Sequence, residues 1–427
     1  MDELEITPLT GPLEARVAVP GSKSITNRAM ILAAMAQGRS VIDSVLLSDD
    51  TRYMTDALRA MGFVVEVDED AHRITVGGRG GVIPAGGGEI FVGGAGTVMR
   101  FIVAMVTLGE GRFRIDGNQR MRQRPMGPQL DAMQRLGASV YSERNNKCPP
   151  VIVDASRARF EGGETSIDAR VSSQFVSAML MPAPIWKIGL RLHVIGDAAR
   201  PFIDMTLRLM EAWGARHSLE GDQIVVPGGQ WYRAQRFAVE PDASSASYFA
   251  AAAALIGGSV KIEGLQSNSV QGDVGFFGVL QRMGARVTWH RDFVEVVGTG
   301  QLVGVDVAMN SMPDMVPTLA AIAPFASSPT KIRNVAFIRH HESDRIRALA
   351  AELRRIGADV TETEDGLEIR PSMMRPAPIE TYDDHRIAMS FAVLGLKLAG
   401  IKIKDPGCVA KTFPDFFTRL SALGAAS

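Results

Sequence analysis

Two kinds of hydrophobic patterning alternate along the chain. Stretches with apolar residues at helical spacing end in a glycine, usually followed by alanine. These endings are ALRAMGF at Gly62, MQRLGAS at Gly137, MEAWGAR at Gly214, LQRMGAR at Gly284, LRRIGAD at Gly357 and LSALGAA at Gly424. Glycine takes the left-handed conformation that closes a helix without steric cost, so a recurring apolar-x-Gly predicts a recurring helix end. Four endings lead into VVEVDEDAHRITV, ARHSLEGDQIVV, ARVTWHRDFVEVV and ADVTETEDGLEIR. Each holds two alternating runs around a polar turn and predicts a hairpin half buried on one face.

Subtracting neighbouring glycine numbers gives intervals of 75, 77, 70, 73 and 67 residues. Such even spacing predicts an internal repeat of helical segments followed by short strands. The sixth copy stops at its helix, with only Ala-Ala-Ser after Gly424. The strand-rich N-terminal segment ITPLTGPLEARVAVPGS is expected to supply its missing strands, which places both chain ends in one domain. The predicted organisation is α/β, with two domains of three repeats each. One is residues 1–20 with 240–427 and the other is 21–239, with crossings near Pro20 and Glu240. The small-residue stretch VEPDASSASYF marks the return.

Four segments at predicted turn-to-helix junctions carry candidate chemistry. In PGSKSITNRAM, Ser22, Lys23 and Ser24 open a helix with Arg28 one turn in, so backbone N–H groups, an ammonium and two hydroxyls form an anion site. In FVGGAGTVMRF, Gly93, Gly94 and Gly96 allow close backbone approach before a helix holding Arg100. In DGNQRMRQRPMG, Arg120, Arg122 and Arg124 alternate before Pro125, and an extended loop would send all three to one face. In the C-terminal half, IRHHESDRIRAL, TYDDHRIAM and DPGCVAKTF pair Glu342 with Arg345 and Asp383 with Arg386, and place Lys411 after a glycine. Lys23, Arg28, Arg124, Arg345, Arg386 and Lys411 are more cation than one phosphate needs and suit two anionic ligands.

Composition narrows the reading. Of 427 residues, 46% are hydrophobic and 22% charged, which suits a soluble chain of two or three domains with a sizeable core. Lys plus Arg is 46 against 47 for Asp plus Glu, with four Trp and five Tyr, so neither nucleic acid nor an anionic membrane is an expected partner. Apolar runs such as AAAALIGG are too short to span a bilayer. The acidic N-terminus MDELEITPLTG lacks the form of a signal or transit peptide, so a cytoplasmic location is expected. Cys148 and Cys408 form no metal-ligand spacing and read as reduced small side chains.

Taken in order, PGSKSITNRA, GGAGTVMRF, RMRQRPMGPQLDAM, VSSQFVSAMLM, RPFIDMTLRLM, EPDASSASYF, NSMPDMVPTLA, HHESDRIRALAAELRRIGA, YDDHRIAMSFAV and DPGCVAKTFPDFF resemble the 5-enolpyruvylshikimate-3-phosphate synthase family over nearly the whole chain. The resemblance implies an enolpyruvyl transferase fold, an inside-out α/β barrel in which each of two domains holds three βαβαββ units and the domains close over ligands at a hinge. It implies transfer of the enolpyruvyl group of phosphoenolpyruvate to the 5-hydroxyl of shikimate 3-phosphate, in a monomer, with no metal and no organic cofactor. The implied phosphoenolpyruvate site is Lys23, Gly96, Arg124, Gln174, Arg345, Arg386 and Lys411. The implied shikimate 3-phosphate site is Lys23, Ser24, Arg28, Ser172, Ser173, Gln174, Arg200, Asp314 and His341. Asp314, Glu342 and Lys23 match the family's catalytic groups: Asp314 as base toward the hydroxyl, Glu342 for proton transfer at the methylene carbon, Lys23 as acid toward the phosphate oxygen.

The sequence departs from the family at several positions. His341 stands for a usual Lys, Phe337 for Asn and Gly94 for Asn, and Ala199-Arg200-Pro201-Phe202 stands for Ser-x-Pro-Tyr. A sister enzyme that uses UDP-N-acetylglucosamine usually carries Cys or Asp in the loop that here holds Arg120 to Arg124, and this loop has neither. A non-catalytic anion-binding relative is the other alternative, against which Lys23, Asp314 and Glu342 all stand intact.

Overall fold

The computed structural model describes residues 2–156, 160–196 and 199–424. The chain divides into two compact units, Met1–Pro20 with Glu240–Ser427, and Gly21–Val239.

Five of the six glycine endings form one kind of cap. Gly62, Gly137, Gly214, Gly284 and Gly357 have φ of 86, 90, 95, 105 and 86°. After each, an N–H reaches back five residues: Phe63 to the Leu58 carbonyl, Ala138 to Met133, Ala215 to Met210, Ala285 to Leu280 and Ala358 to Leu353. This is the Schellman arrangement, which satisfies carbonyls the helix leaves open. Gly424 lies outside the left-handed region, and its N–H reaches only to Ser421.

The helices are α1 (Lys23–Met35), α2 (Asp49–Ala60), α3 (Gly96–Met105), α4 (Gly127–Arg135), α5 (Gln174–Leu180), α6 (Arg200–Ala212), α7 (Ala243–Ile256), α8 (Gly275–Arg282), α9 (Val316–Ile322), α10 (Arg345–Arg355), α11 (His385–Gly395) and α12 (Phe416–Ala422). The odd-numbered helices are buried almost throughout, and the even-numbered ones bury one face. Composition explains the division. A helix that is small and apolar all round, as in ASSASYFAAAAALI of α7, has no polar face to give to water. The even-numbered helices mix apolar with charged positions, as in RIRALAAELRR of α10, and cover that core.

Among the described residues the strands form six sheets, three in each unit, five of four strands and one of three. The second is typical: Gly87–Phe91 runs parallel to Arg112–Asp116, which pairs antiparallel with Val151–Asp154, which pairs with Val140–Ser142. A parallel pair needs a crossover, and α3 supplies it. The order is therefore strand, buried helix, strand, amphipathic helix, hairpin. Each expected hairpin forms, at Val64–Asp68 with Arg73–Arg79, Ser218–Glu220 with Gln223–Pro227, Arg286–Trp289 with Phe293–Gly298, and Val360–Glu362 with Leu367–Ile369.

The N-terminal segment is used differently from the expectation. Leu13–Val17 runs parallel to Gly258–Glu263 and opens the fourth sheet, with Leu13 and Val17 buried. The sixth sheet receives the earlier Glu3–Glu5, antiparallel to Lys402–Lys404 with Leu4 opposite Ile403. A three-residue strand reading ELE has too little alternation to announce itself. Among the described residues no helix is long and apolar enough to cross a membrane.

Candidate functional site

Most of the sequence-predicted residues lie at or just before helix starts, in one cluster per unit. An N-terminal turn presents unpaired N–H groups and the positive end of the helix dipole, which suits anions.

In the unit of residues 1–20 and 240–427, Arg345 at the start of α10 organises the cluster. Its side chain is 1% exposed and commits all five N–H donors. Nε donates to Asp384 Oδ2 at 2.9 Å, Nη1 to Asp314 Oδ1 at 2.8 Å, and Nη2 to Glu342 Oε2 at 2.9 Å and Asp384 Oδ1 at 3.3 Å. The second Nη1 proton reaches His341 Nδ1 at 3.2 Å. Arginine only donates, so that ring nitrogen accepts. Burial works against the Arg345 charge, but Asp384, Glu342 and Asp314 outweigh it and hold the guanidinium firmly protonated.

Each candidate catalytic carboxylate sits between two cations. Asp314, in the 3-10 turn Pro313–Met315 ahead of α9, takes Arg345 on one oxygen and Arg386 Nη2 at 2.8 Å on the other. Glu342 lies between Arg345 and Lys411, whose Nζ is 3.4 Å from Oε1. The expected acid–arginine pairing is half corrected. Glu342 does hold Arg345, but Arg386 is held by Asp314, not Asp383. Asp383 has a left-handed backbone (φ 54°) just outside α11. It is Asp384, the N-cap of α11, that faces inward, accepting from Arg386 N at 3.0 Å and from Ser343 Oγ at 2.9 Å. Sequence reasoning missed Asp384; its signal was the N-cap position directly before the helix. Phe337, where the family pattern has Asn, packs its ring edge against His341 at 6.0 Å.

In the unit of residues 21–239, Lys23 starts α1 with Ser24 beside it, and Lys23 Nζ lies 3.3 Å from Asp50 Oδ2 in the first turn of α2. Asp50 was also missed; it looked like an ordinary first-turn acid. Gly96 starts α3 where two guanidiniums converge. A Cβ there would lie 2.5 Å from Arg124 Nη1 and 2.6 Å from Arg100 Nη1. Arg100 is itself anchored to the Gly96 carbonyl at 3.1 Å and the Pro125 carbonyl at 3.2 Å. Ser172 and Ser173 lead into α5, with Ser172 Oγ accepting from Gln174 N at 3.2 Å, and the Gln174 side-chain oxygen is buried without a hydrogen-bond partner.

Two expectations change here. Arg120, Arg122 and Arg124 do not share a face, because Met121–Gln123 winds into a 3-10 turn. Arg122 turns to Asp116 with bonds of 2.9 and 2.6 Å, and Arg124 is buried by Gly96. Arg28 is not open to a ligand. Its guanidinium is buried, reaching Thr206 Oγ1 at 2.7 Å, the Ser24 carbonyl at 3.0 Å, Ser177 Oγ at 3.2 Å and the Phe202 carbonyl at 3.3 Å. With no carboxylate among these partners, burial pushes it down to about 9, and it ties α1 to α5 and α6. Arg200, first in α6 after left-handed Ala199, is bonded to Asp204 on its own helix at 2.9 Å. At the Gly94 departure, a Cβ would come within 3.1 Å of Asn118 Nδ2. Both cysteines are free, and burial pushes the Cys408 thiol up to about 12 and the Cys148 thiol upward, so neither is poised as a thiolate.

Two clusters of arginine and lysine interleaved with carboxylates, at helix starts of a repeated α/β fold, define an anion-handling enzyme of the transferase kind. The sequence profile of the EPSP synthase family, 3-phosphoshikimate 1-carboxyvinyltransferase, matches residues 9–420, and the chain belongs to that family. It is 48% identical over 421 residues to a 3-phosphoshikimate 1-carboxyvinyltransferase of Nostoc punctiforme, covering 98% of both chains. A relative of the same name from Trichormus variabilis is 46% identical over 421 residues, again covering 98% of both. Among solved structures, EPSP synthase from Acinetobacter baumannii superimposes with a TM-score of 0.82 at 27% identity, covering 99% of this chain and 98% of that one.

Proposed function

We propose that the chain transfers the enolpyruvyl group of phosphoenolpyruvate to the 5-hydroxyl of shikimate 3-phosphate and releases phosphate, acting as a cytoplasmic monomer. The observation that carries the chemistry is the pair Asp314 and Glu342, two carboxylates fixed by Arg345 and each backed by a second cation. Addition and elimination need two proton-transfer groups at different atoms. Asp314 takes the proton of the 5-hydroxyl as its oxygen attacks C2 of the enol. Glu342, entering the cycle as the carboxylic acid, delivers its proton to C3 and then takes one back as the C2–O bond to phosphate breaks. Lys23 protonates the departing phosphate oxygen.

Arg386, Lys411, Arg124 and the α3 N-terminus at Gly96 meet the anionic groups of phosphoenolpyruvate, with the Gln174 amide beside them. Arg345 has no spare donor, so it serves by holding Asp314, Glu342 and Asp384 in register. The Ser172, Ser173 and Arg200 groups with Ser24 and His341 serve the second substrate. Arg28 contributes by fixing α1 against α5 and α6.

The test is phosphate release from phosphoenolpyruvate, with shikimate 3-phosphate or UDP-N-acetylglucosamine as acceptor, for the wild type and Glu342→Gln. Release should require shikimate 3-phosphate, and Glu342→Gln should lower kcat by about 10²–10⁴-fold, the usual worth of general acid–base help. Turnover only with the sugar nucleotide would overturn the acceptor assignment, and an unimpaired Glu342→Gln would remove that residue from proton transfer.

A further inference from the structure

Behind Asp314 and Arg386 lies a buried carboxyl that the reaction above does not use. Asp273 sits in the 3-10 turn Gly272–Val274, packed on α7, on α8 and on the turn that carries Asp314. It is 5% exposed. Ser244 Oγ, in the first turn of α7, donates to Oδ2, while Oδ1 has no hydrogen-bond partner. An enclosed carboxylate oxygen without a donor disfavours the ionised form.

The surrounding charges compete. Burial, and then the Asp314 charge, push the Asp273 carboxyl up to about 7, against the pull of Arg386 and the Ser244 hydroxyl, with Asp242 at the α7 N-cap adding to the rise. From α7 the Tyr248 hydroxyl also faces Arg386; burial pushes it up to about 12, so it stays neutral. The charged residue of α8, Arg282, is turned away to the Asp306 carbonyl.

We propose that Asp273 is a positioning residue acting through Arg386, and that an anion binding at Arg386 is coupled to uptake of a proton from solvent by the Asp273 carboxyl. Ionised, Asp273 shares the Arg386 charge with Asp314 and leaves less of it for a ligand. Protonated, at the oxygen that lacks a donor, it releases that charge. The inference rests on the assignment of Arg386 to an anionic group of phosphoenolpyruvate.

The test compares wild type with Asp273→Asn, which keeps the shape and an acceptor for Ser244 but cannot ionise. The probes are sulfate, which stays a dianion near neutrality, and phosphoenolpyruvate, whose own titration cancels between the two proteins. Between about pH 6 and about pH 8 the wild-type Kd should weaken by about threefold or more relative to the variant, where one unit of coupling corresponds to tenfold. Calorimetry in buffers of different ionisation enthalpy should show proton uptake with wild type that the variant lacks. Ser244→Ala, which removes the hydroxyl favouring the carboxylate, should move the uptake to higher pH and keeps the test available if the first variant fails to fold. Thermal stability gives a further readout. The folded value of about 7 lies above the ordinary 3.8, so wild-type stability falls as pH rises from one to the other, and Asp273→Asn should gain in Tm relative to wild type over that range. Equal proton uptake in wild type and Asp273→Asn would overturn the proposal alone. No anion binding by wild type would overturn the assignment of the cluster, and the proposal with it.

Discussion

Gly96 shows how much one missing side chain decides. Its φ is not left-handed, so alanine there meets no backbone strain. The methyl would instead lie 2.5 Å from Arg124 Nη1 and 2.6 Å from Arg100 Nη1, the ends of two flexible side chains. Gly96→Ala should therefore fold normally while moving both guanidiniums off the α3 N-terminus. Weakening one charge-assisted hydrogen bond, worth about 1.5–3 kcal/mol, corresponds to a rise of about tenfold or more in KM for phosphoenolpyruvate. Steady-state kinetics beside a urea midpoint would check it, and an unchanged KM with a lowered midpoint would reverse the interpretation. Residue identity was legible in the sequence here; proximity was not. Lys23, Gly96, Arg124, Glu342, Arg386 and Lys411 stood out by type and position and Asp314 only through the family resemblance, but the arginine loop did not reveal that Arg122 turns to Asp116 while Arg124 turns in.

At the level of elements, the recurring glycine is a local device with a local cost. A Cβ at Gly137 would meet nothing within 4 Å, yet its φ is 90°. Gly137→Ala should therefore lose stability through the backbone alone, by about 1–2 kcal/mol, measurable as a lower urea midpoint at unchanged m-value. The helix ends and hairpins were readable because caps and alternation act over a few residues. The odd-numbered helices were harder to place. Apolar all round, they show no face, and only packing discloses which of the charged groups at helix starts meet one another. Asp384 illustrates the gap: its N-cap position is the one sequence signal that sets it apart from Asp383, and the left-handed backbone at 383 and the cap at 384 send only the second carboxylate to Arg345.

Across the whole molecule, the first residues complete sheets whose other strands lie hundreds of positions away. Leu13 and Val17 are buried on a strand paired with Gly258–Glu263, and Glu3–Glu5 closes the sheet of Lys402–Lys404. Removing residues 1–17 exposes strand edges and forfeits about 1.5–3 kcal/mol for each buried aliphatic side chain, a sizeable share of an ordinary domain's stability. The shortened chain should unfold at clearly lower urea and release no phosphate. Full activity of that variant would show that the N-terminal strands are dispensable.

By itself the sequence determined what short-range forces control: where helices stop, where hairpins turn, and which residue types wait at helix starts to meet anions. The tertiary structure alone decided partnership. Arg345 meets Asp314 and Asp384 from 31 and 39 positions away, and Arg386 meets Asp314 from 72. Propensity and capping operate within a turn or two of chain, whereas a buried charge takes whichever opposite charge packing brings to it, and that depends on how all the buried helices settle together.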